Sequence, residues 1–124
     1  MAVTKKLKPC PNKANCVCSQ SVEGDAHYIA PLRCLGSTNE CQEKILSLLK
    51  GNEVFSKVSK IVEVGDGYIH AEFRSKIFHF VDDVEFLLSE SDPCRIDVRS
   101  ASRLGRSDFG VNRKRIEAIR TALL

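Results

Sequence analysis

The chain has no tryptophan, one methionine, and only six phenylalanines and two tyrosines in 124 residues. So few aromatics disfavour a stacking platform for single-stranded nucleic acid. The excess of one sign of charge is also small, and a net charge of +3 does not imply a nucleic-acid partner by itself. No apolar run is long enough to span a bilayer. The opening stretch, Ala-Val-Thr-Lys-Lys-Leu-Lys-Pro, does not read as a signal peptide. The expectation is a cytoplasmic protein with no membrane partner. The G-x-S-x-G elbow, the P-loop and the dinucleotide fingerprint are all missing, so no cofactor is expected. Internal repeats and low-complexity segments are missing too.

What is there is an ordinary globular composition, 43% hydrophobic and 28% charged. A chain of this length fits one domain over residues 1–124 with a modest core. Residues 1–36 show no period and are punctuated by Pro9, Pro11, Asn12, Asn15, Gly24, Pro31 and Gly36. Val17, Tyr28, Ile29, Leu32 and Leu35 are scattered among them, so the segment reads as an extended arm lying against a core at 37–124.

The core reads as α+β, an antiparallel sheet of about four strands packed with two helices. Ser37 and Glu40 form a capping box ahead of a helix at 38–50. Its apolar face is Cys41, Ile45, Leu48 and Leu49, and Gly51 is a natural stop at C′. Gly65-Asp66-Gly67 joins strands at 56–64 and 68–75 as a hairpin. In the first, positions 58, 62 and 64 share a face with Lys60, and Ile61 lies opposite. In the second, Ile69, Ala71 and Phe73 face one way and Tyr68, His70, Glu72 and Arg74 the other. A third strand at 82–88 turns Val84, Phe86 and Leu88 inward. A fourth at 94–101 turns Cys94, Ile96 and Val98 inward and Arg95, Asp97 and Arg99 outward. Matching the apolar faces limits the register to even steps, which set either Glu85 or Asp83 opposite Arg99. Both sheet faces carry apolar residues, so helices are expected on one and the arm on the other. The last helix is predicted from 112 to 123, with Asn112 as N-cap and Ile116, Ile119 and Leu123 as its stripe.

The segment 99–115 holds the densest chemistry. From Arg95 onward there are seven arginines and Lys114 against Asp97, Asp108 and Glu117. Arg99, Ser102, Arg103, Arg106, Ser107, Asn112 and Arg113 are the candidate ligand-binding residues. Guanidinium forks, hydroxyls and the N–H groups of a helix start all suit an anion. The competing reading is structural: Arg74, Arg99 and Arg103 pair with Asp82, Asp83 and Glu85 and fix the sheet to the last helix. A third reading makes a small hydrolase-type enzyme of Asp82, Asp83 or Glu85 with a histidine. Asp82 and Asp83 point to opposite faces of a strand, which weakens a shared acid–base or metal role. The leading function class is a non-catalytic binding module, and its expected partner is a small anion or an acidic protein group.

The six cysteines are expected as free thiols in a reducing compartment, with Cys41 and Cys94 as small core residues. Cys10, Cys16 and Cys18 have C-x₅-C-x-C spacing, a poor match for zinc pairs, and nothing requires His27 or Cys34 to complete a set. No metal is expected.

Three stretches together carry a family likeness: Cys10-Pro-Asn-Lys-Ala-Asn-Cys16-Val, Phe80-Val-Asp-Asp-Val-Glu-Phe86, and Arg99-Ser-Ala-Ser-Arg-Leu-Gly with Ser107-Asp-Phe-Gly-Val-Asn-Arg-Lys-Arg-Ile-Glu117. The chain resembles, over nearly its whole length, the bacterial and plastid-type family catalogued as domain of unknown function 1499. The resemblance implies no activity and no catalytic residues to carry over. Many of its members look exported or membrane-attached, and in exported relatives the first motif allows a Cys10–Cys16 disulfide. For this chain the expectation stays with free thiols. Cys18 departs from the family pattern, which more often looks like Ser there.

Overall fold

Period-2 alternation in the second half of the chain builds a sheet, and two 3.6-residue patterns build helices that cover one of its faces. A computed structural model describes residues 6–51, 58–74, 80–91, 93–105 and 110–123, with the side chains of 58 and 59 set aside. In chain order the elements are β1 (Cys16–Cys18), β2 (Leu32–Cys34), α1 (Thr38–Gly51), β3 (Val58–Gly65), β4 (Tyr68–Arg74), β5 (Val81–Ser89), β6 (Cys94–Ser102) and α2 (Val111–Ala122). The class is α+β, and the sheet has six strands, not about four. The additional two come from the segment predicted to be an arm. Both are three residues long, too short to show a period, and both pair antiparallel with β6. Cys16, Val17 and Cys18 lie against Ala101, Ser100 and Arg99, and Leu32, Arg33 and Cys34 lie against Ile96, Arg95 and Cys94. The lateral order is β1-β6-β5-β4-β3, with β2 also on β6.

The capping box at Ser37 forms in both directions. Glu40 N–H donates to Ser37 Oγ at 3.1 Å and Ser37 N–H donates to Glu40 Oε1 at 2.9 Å. Gly51 is the last residue of α1 and not the residue beyond it. The helix docks through Gln42, which donates to the Gly65 carbonyl at 2.9 Å and accepts from Gly67 N–H at 3.0 Å. It thereby grips the hairpin turn, whose Gly67 takes φ 73.

Strand β3 departs from the predicted facing. Its register against β4 shifts between Val58 and Lys60 and again between Ile61 and Glu63. Each shift resets the alternation. Ile61 therefore pairs with Ala71 and packs against the core, and Val64 pairs with Ile69, while Lys60 and Glu63 pair with Glu72 and His70 of the other face. Strands β5 and β6 follow the predicted pattern, and of the two registers considered the one with Glu85 opposite Arg99 is realised.

The main core lies between the sheet and the helices. Cys41, Ile45 and Leu49 of α1 and Ile116 and Ile119 of α2 meet Ile69, Phe73, Val84, Phe86, Ile96 and Val98. On the outer face Leu7, Cys18, Tyr68 and Leu87 form a second, smaller cluster with Cys10 against it. The N-terminal segment thus covers part of the outer face, as the two-sided apolar pattern predicts.

Candidate functional site

Two polar networks hold the sheet, one on each face. The helix-side network centres on Asn112. The predicted N-cap role falls instead to Gly110, at φ 79, with no side-chain cap. One residue into α2, Asn112 is fully buried and uses all of its amide. Its Oδ1 accepts from Ser100 Oγ at 2.5 Å and Arg115 Nη1 at 2.7 Å. Its Nδ2 donates to Ser102 Oγ at 3.0 Å and the Asn15 carbonyl at 3.1 Å. Arg115 also donates to Asp82 Oδ2 at 2.8 Å and lies 4.6 Å above the Phe73 ring centroid. The link from sheet to last helix is therefore Asp82–Arg115. Arg74, predicted for that network, is exposed at the end of β4.

The outer-face network runs across β4, β5 and β6. Arg103 donates to Asp83 at 2.7 and 2.9 Å and to Glu72 at 2.8 Å, and His70 Nε2 lies 2.9 Å from Asp83 Oδ1. The Arg103 bonds hold the Asp83 carboxyl below its ordinary range, helped by His70 and opposed by partial burial. Tyr68 O–H donates to Glu85 at 2.5 Å, and burial together with that carboxylate pushes its phenol pKa up. Arg99 reaches Glu85 only at 3.9 Å and the Pro9 carbonyl at 3.5 Å, and its Nε has no partner.

The predicted ligand-binding residues that lie among the described residues therefore do not converge on one point. Arg99 and Arg103 stand on the outer face, paired with carboxylates. Ser102 and Asn112 belong to the helix-side network. Arg106, Ser107 and Asp108, with His79, Lys5 and the predicted strand ends at 56–57 and 75, lie outside the described residues. Among the described members Arg113 reaches a cleft.

That cleft, of about 420 Å³, opens where α2 begins; Lys13, Cys16, His27, Gly110 and Arg113 line it. Arg113 Nη2 donates to the Ala26 carbonyl at 2.9 Å, which leaves guanidinium donors to spare. His27 Nδ1 lies 2.9 Å from Asp25 Oδ1 and its Nε2 2.8 Å from the Lys13 carbonyl. Asp25 is held below its ordinary range by the N–H of His27. Among the described lining residues there is no carboxylate, and the first turn of α2 holds no acidic residue. Lys13 and His27 were not in the predicted set, because only tertiary contacts bring residues 12–14 and 26–27 to position 113. The clue in the sequence was indirect: basic residues off the apolar stripe of a helix have to point at something. Arg120 behaves likewise, donating to the Ala30 and Pro31 carbonyls.

The free-thiol expectation fails for four of the six cysteines and holds for Cys18 and Cys94. Cys10 is joined to Cys16 and Cys34 to Cys41, with Cα atoms 5.7 and 6.0 Å apart, a normal disulfide span. The folded chain sets each pair at that span, which spacing alone does not reveal. Cys18 and Cys94 remain as buried thiols, and burial pushes both upward in pKa. Among the described residues no group of three or more His, Cys, Asp or Glu is placed to hold a metal ion, and no helix is long and apolar enough to cross a membrane.

Comparison with known proteins finds no match among curated proteins and none among solved structures. A family model covers residues 6–123, and by that match the chain belongs to the family described as Protein of unknown function (DUF1499).

Proposed function

We propose that this chain is a non-catalytic binding module that takes a small anion, or an acidic group of a protein partner, in the cleft at the start of α2. The observation that carries the reading is the basic lining of that cleft. Lys13, His27 and Arg113 line the cleft beside the start of α2, where the helix dipole favours negative charge. Two other arginines are answered by carboxylates within the chain: Arg103 by Asp83 and Glu72, Arg115 by Asp82. Those pairings also support the non-catalytic side of the proposal, since Asp82, Asp83 and Glu85 are each committed to a cation or hydroxyl. Two disulfides support an oxidising compartment in place of the cytoplasm first expected.

The test is thermal denaturation with sulfate or phosphate against chloride at equal ionic strength. An anion at ten times its Kd adds about 1.4 kcal/mol, or about 5 °C in a chain of this size. The wild type gains that increment, and Arg113→Gln with Lys13→Gln loses it. An increment equal to that of chloride, or one that survives both substitutions, removes the reading.

A further inference from the structure

We propose that the Cys10–Cys16 disulfide is a redox latch on this cleft: closed, it holds residues 12–14 against the start of α2, and reduction lets them go. The inference rests on the anion-binding reading and adds its regulation. Cys16 lines the cleft itself, and Asn12, Lys13 and Ala14, also on its wall, sit inside the loop that the bond closes.

The two ends of that loop are anchored very differently. At its far end Asn15 is buried; its carbonyl accepts from Asn112 Nδ2 at 3.1 Å and from Ser102 N–H at 3.0 Å, and its own amide donates to the Gly105 carbonyl at 2.6 Å. At its near end Pro9 and Pro11 have no N–H to give, and the Pro9 carbonyl takes only the 3.5 Å contact from Arg99. Between the ends, Lys13 is held by the His27 bond to its carbonyl. Leu7 and Cys10 pack on the small outer-face cluster and Leu7 N–H bonds Gln20, but the disulfide is the covalent tie between the start of the loop and β1. Opening it loosens the near end and leaves Leu7 and Asn15 in place, so the change is local.

A small dithiol reductant supplies the chemistry. Its thiolate attacks Cys10 Sγ, since Cys10 is half-buried and Cys16 is 4% exposed. The Cys10–Cys16 bond breaks, and Cys16 leaves as a thiolate and takes a proton. The reductant's second thiol then attacks its own sulfur in the mixed disulfide. Cys10 departs and is protonated, and the reductant ends as a cyclic disulfide. Two electrons and two protons enter the protein. Cys34 and Cys41, both buried, are shielded from the same reagent. Cys18 lies two residues from Cys16 on the same face of β1, close enough in sequence to compete for Cys10, so the test removes it.

In a Cys18→Ser background, amide exchange at residues 12–14 and the sulfate response are compared with and without Cys10→Ser. Exchange is expected to speed up at least tenfold in the Cys10→Ser protein, with amides of α1 and β5 unchanged. The sulfate midpoint is expected to move at least fivefold higher. Equal exchange and an equal sulfate response overturn the latch. No sulfate response in the background protein overturns the binding reading, and exchange alone then decides whether a latch exists. If Cys18→Ser does not fold, the wild type before and after mild dithiol treatment is measured in the same way.

Discussion

Arg115 and Arg99 are almost equally withdrawn from water, with side chains 11% and 13% exposed, yet the chain treats them in opposite ways. Arg115 is bonded to Asp82, Asn112 and Ser100 and rests on Phe73. Arg99 has a distant carboxylate, a long bond to a carbonyl, and an unpartnered Nε. The difference is what covers them. Arg115 belongs to α2, whose Ile116 and Ile119 fix it in the main core, so its position is set by packing and its partners can be placed to match. Arg99 lies beneath the N-terminal segment, held there by a small apolar cluster, the bond from Leu7 N–H to Gln20 and the Cys10–Cys16 disulfide, with few polar groups aimed at the guanidinium. Burial alone does not make an arginine structural; a rigid cover does.

The sharpest way to break this contrast is Arg115→Met. It strands Asp82 and leaves Asn112 and Ser100 short of partners, and should cost about 3–5 kcal/mol. Urea denaturation showing a loss under about 1 kcal/mol would erase the distinction. Asn112→Ala comes next, at about 2–3 kcal/mol, because several buried groups lose a partner with no water to replace it. The same titration checks it, and an unchanged midpoint would mean that water enters the helix-side network.

Asp83→Asn probes the outer face and should cost about 1 kcal/mol at neutral pH, discounted because Arg103 is nearly half exposed. The sign follows from the lowered pKa of Asp83. A carboxyl depressed in the folded state stabilises above its unfolded value, near the reference of 3.8, and that contribution fades as pH falls through the folded value. The wild type should therefore lose stability below pH 4 more steeply than Asp83→Asn, and parallel acid limbs would dismiss the pairing as an energetic factor. The smallest effect is expected for Arg99→Met: within about 1 kcal/mol of zero and of either sign, because an apolar side chain there removes an ill-matched charge. A loss as large as that of Arg115→Met would show that exposure does govern after all.

Much of the fold was written in local patterns. Ser37 and Glu40 mark the start of α1 because a capping box needs only four residues to be recognised. The inward residues of β5 and β6 follow period 2, and the parity of that period narrowed the register to two choices. It also separated Asp82 from Asp83, which serve the two different networks. What stayed hidden depends on distant contacts. Three-residue strands such as β1 and β2 have no period to detect. Two register shifts in β3 erased its alternation. Asn112 looked like a cap because Asn is favoured there; only the meeting of β6, α2 and Asn15 gives its buried amide four bonds among the described residues. The cleft draws on residues 12–14, 26–27 and 110–113, and no local signal joins them.

The two register shifts in β3 have a bearing on how these molecules behave toward one another. β3 ends the sheet, and a straight terminal strand would offer its free backbone row to any other chain in the same solution. Breaking the alternation twice within eight residues bends that row out of line, and Lys60 and Glu63 add charge beside it. The opposite margin is split between two three-residue pieces, β1 and β2, neither long enough to template a neighbour. Among the described residues both borders of the sheet are thus poor seeds for stacking into fibrils, although Val62 and Val64 are exposed near one of them.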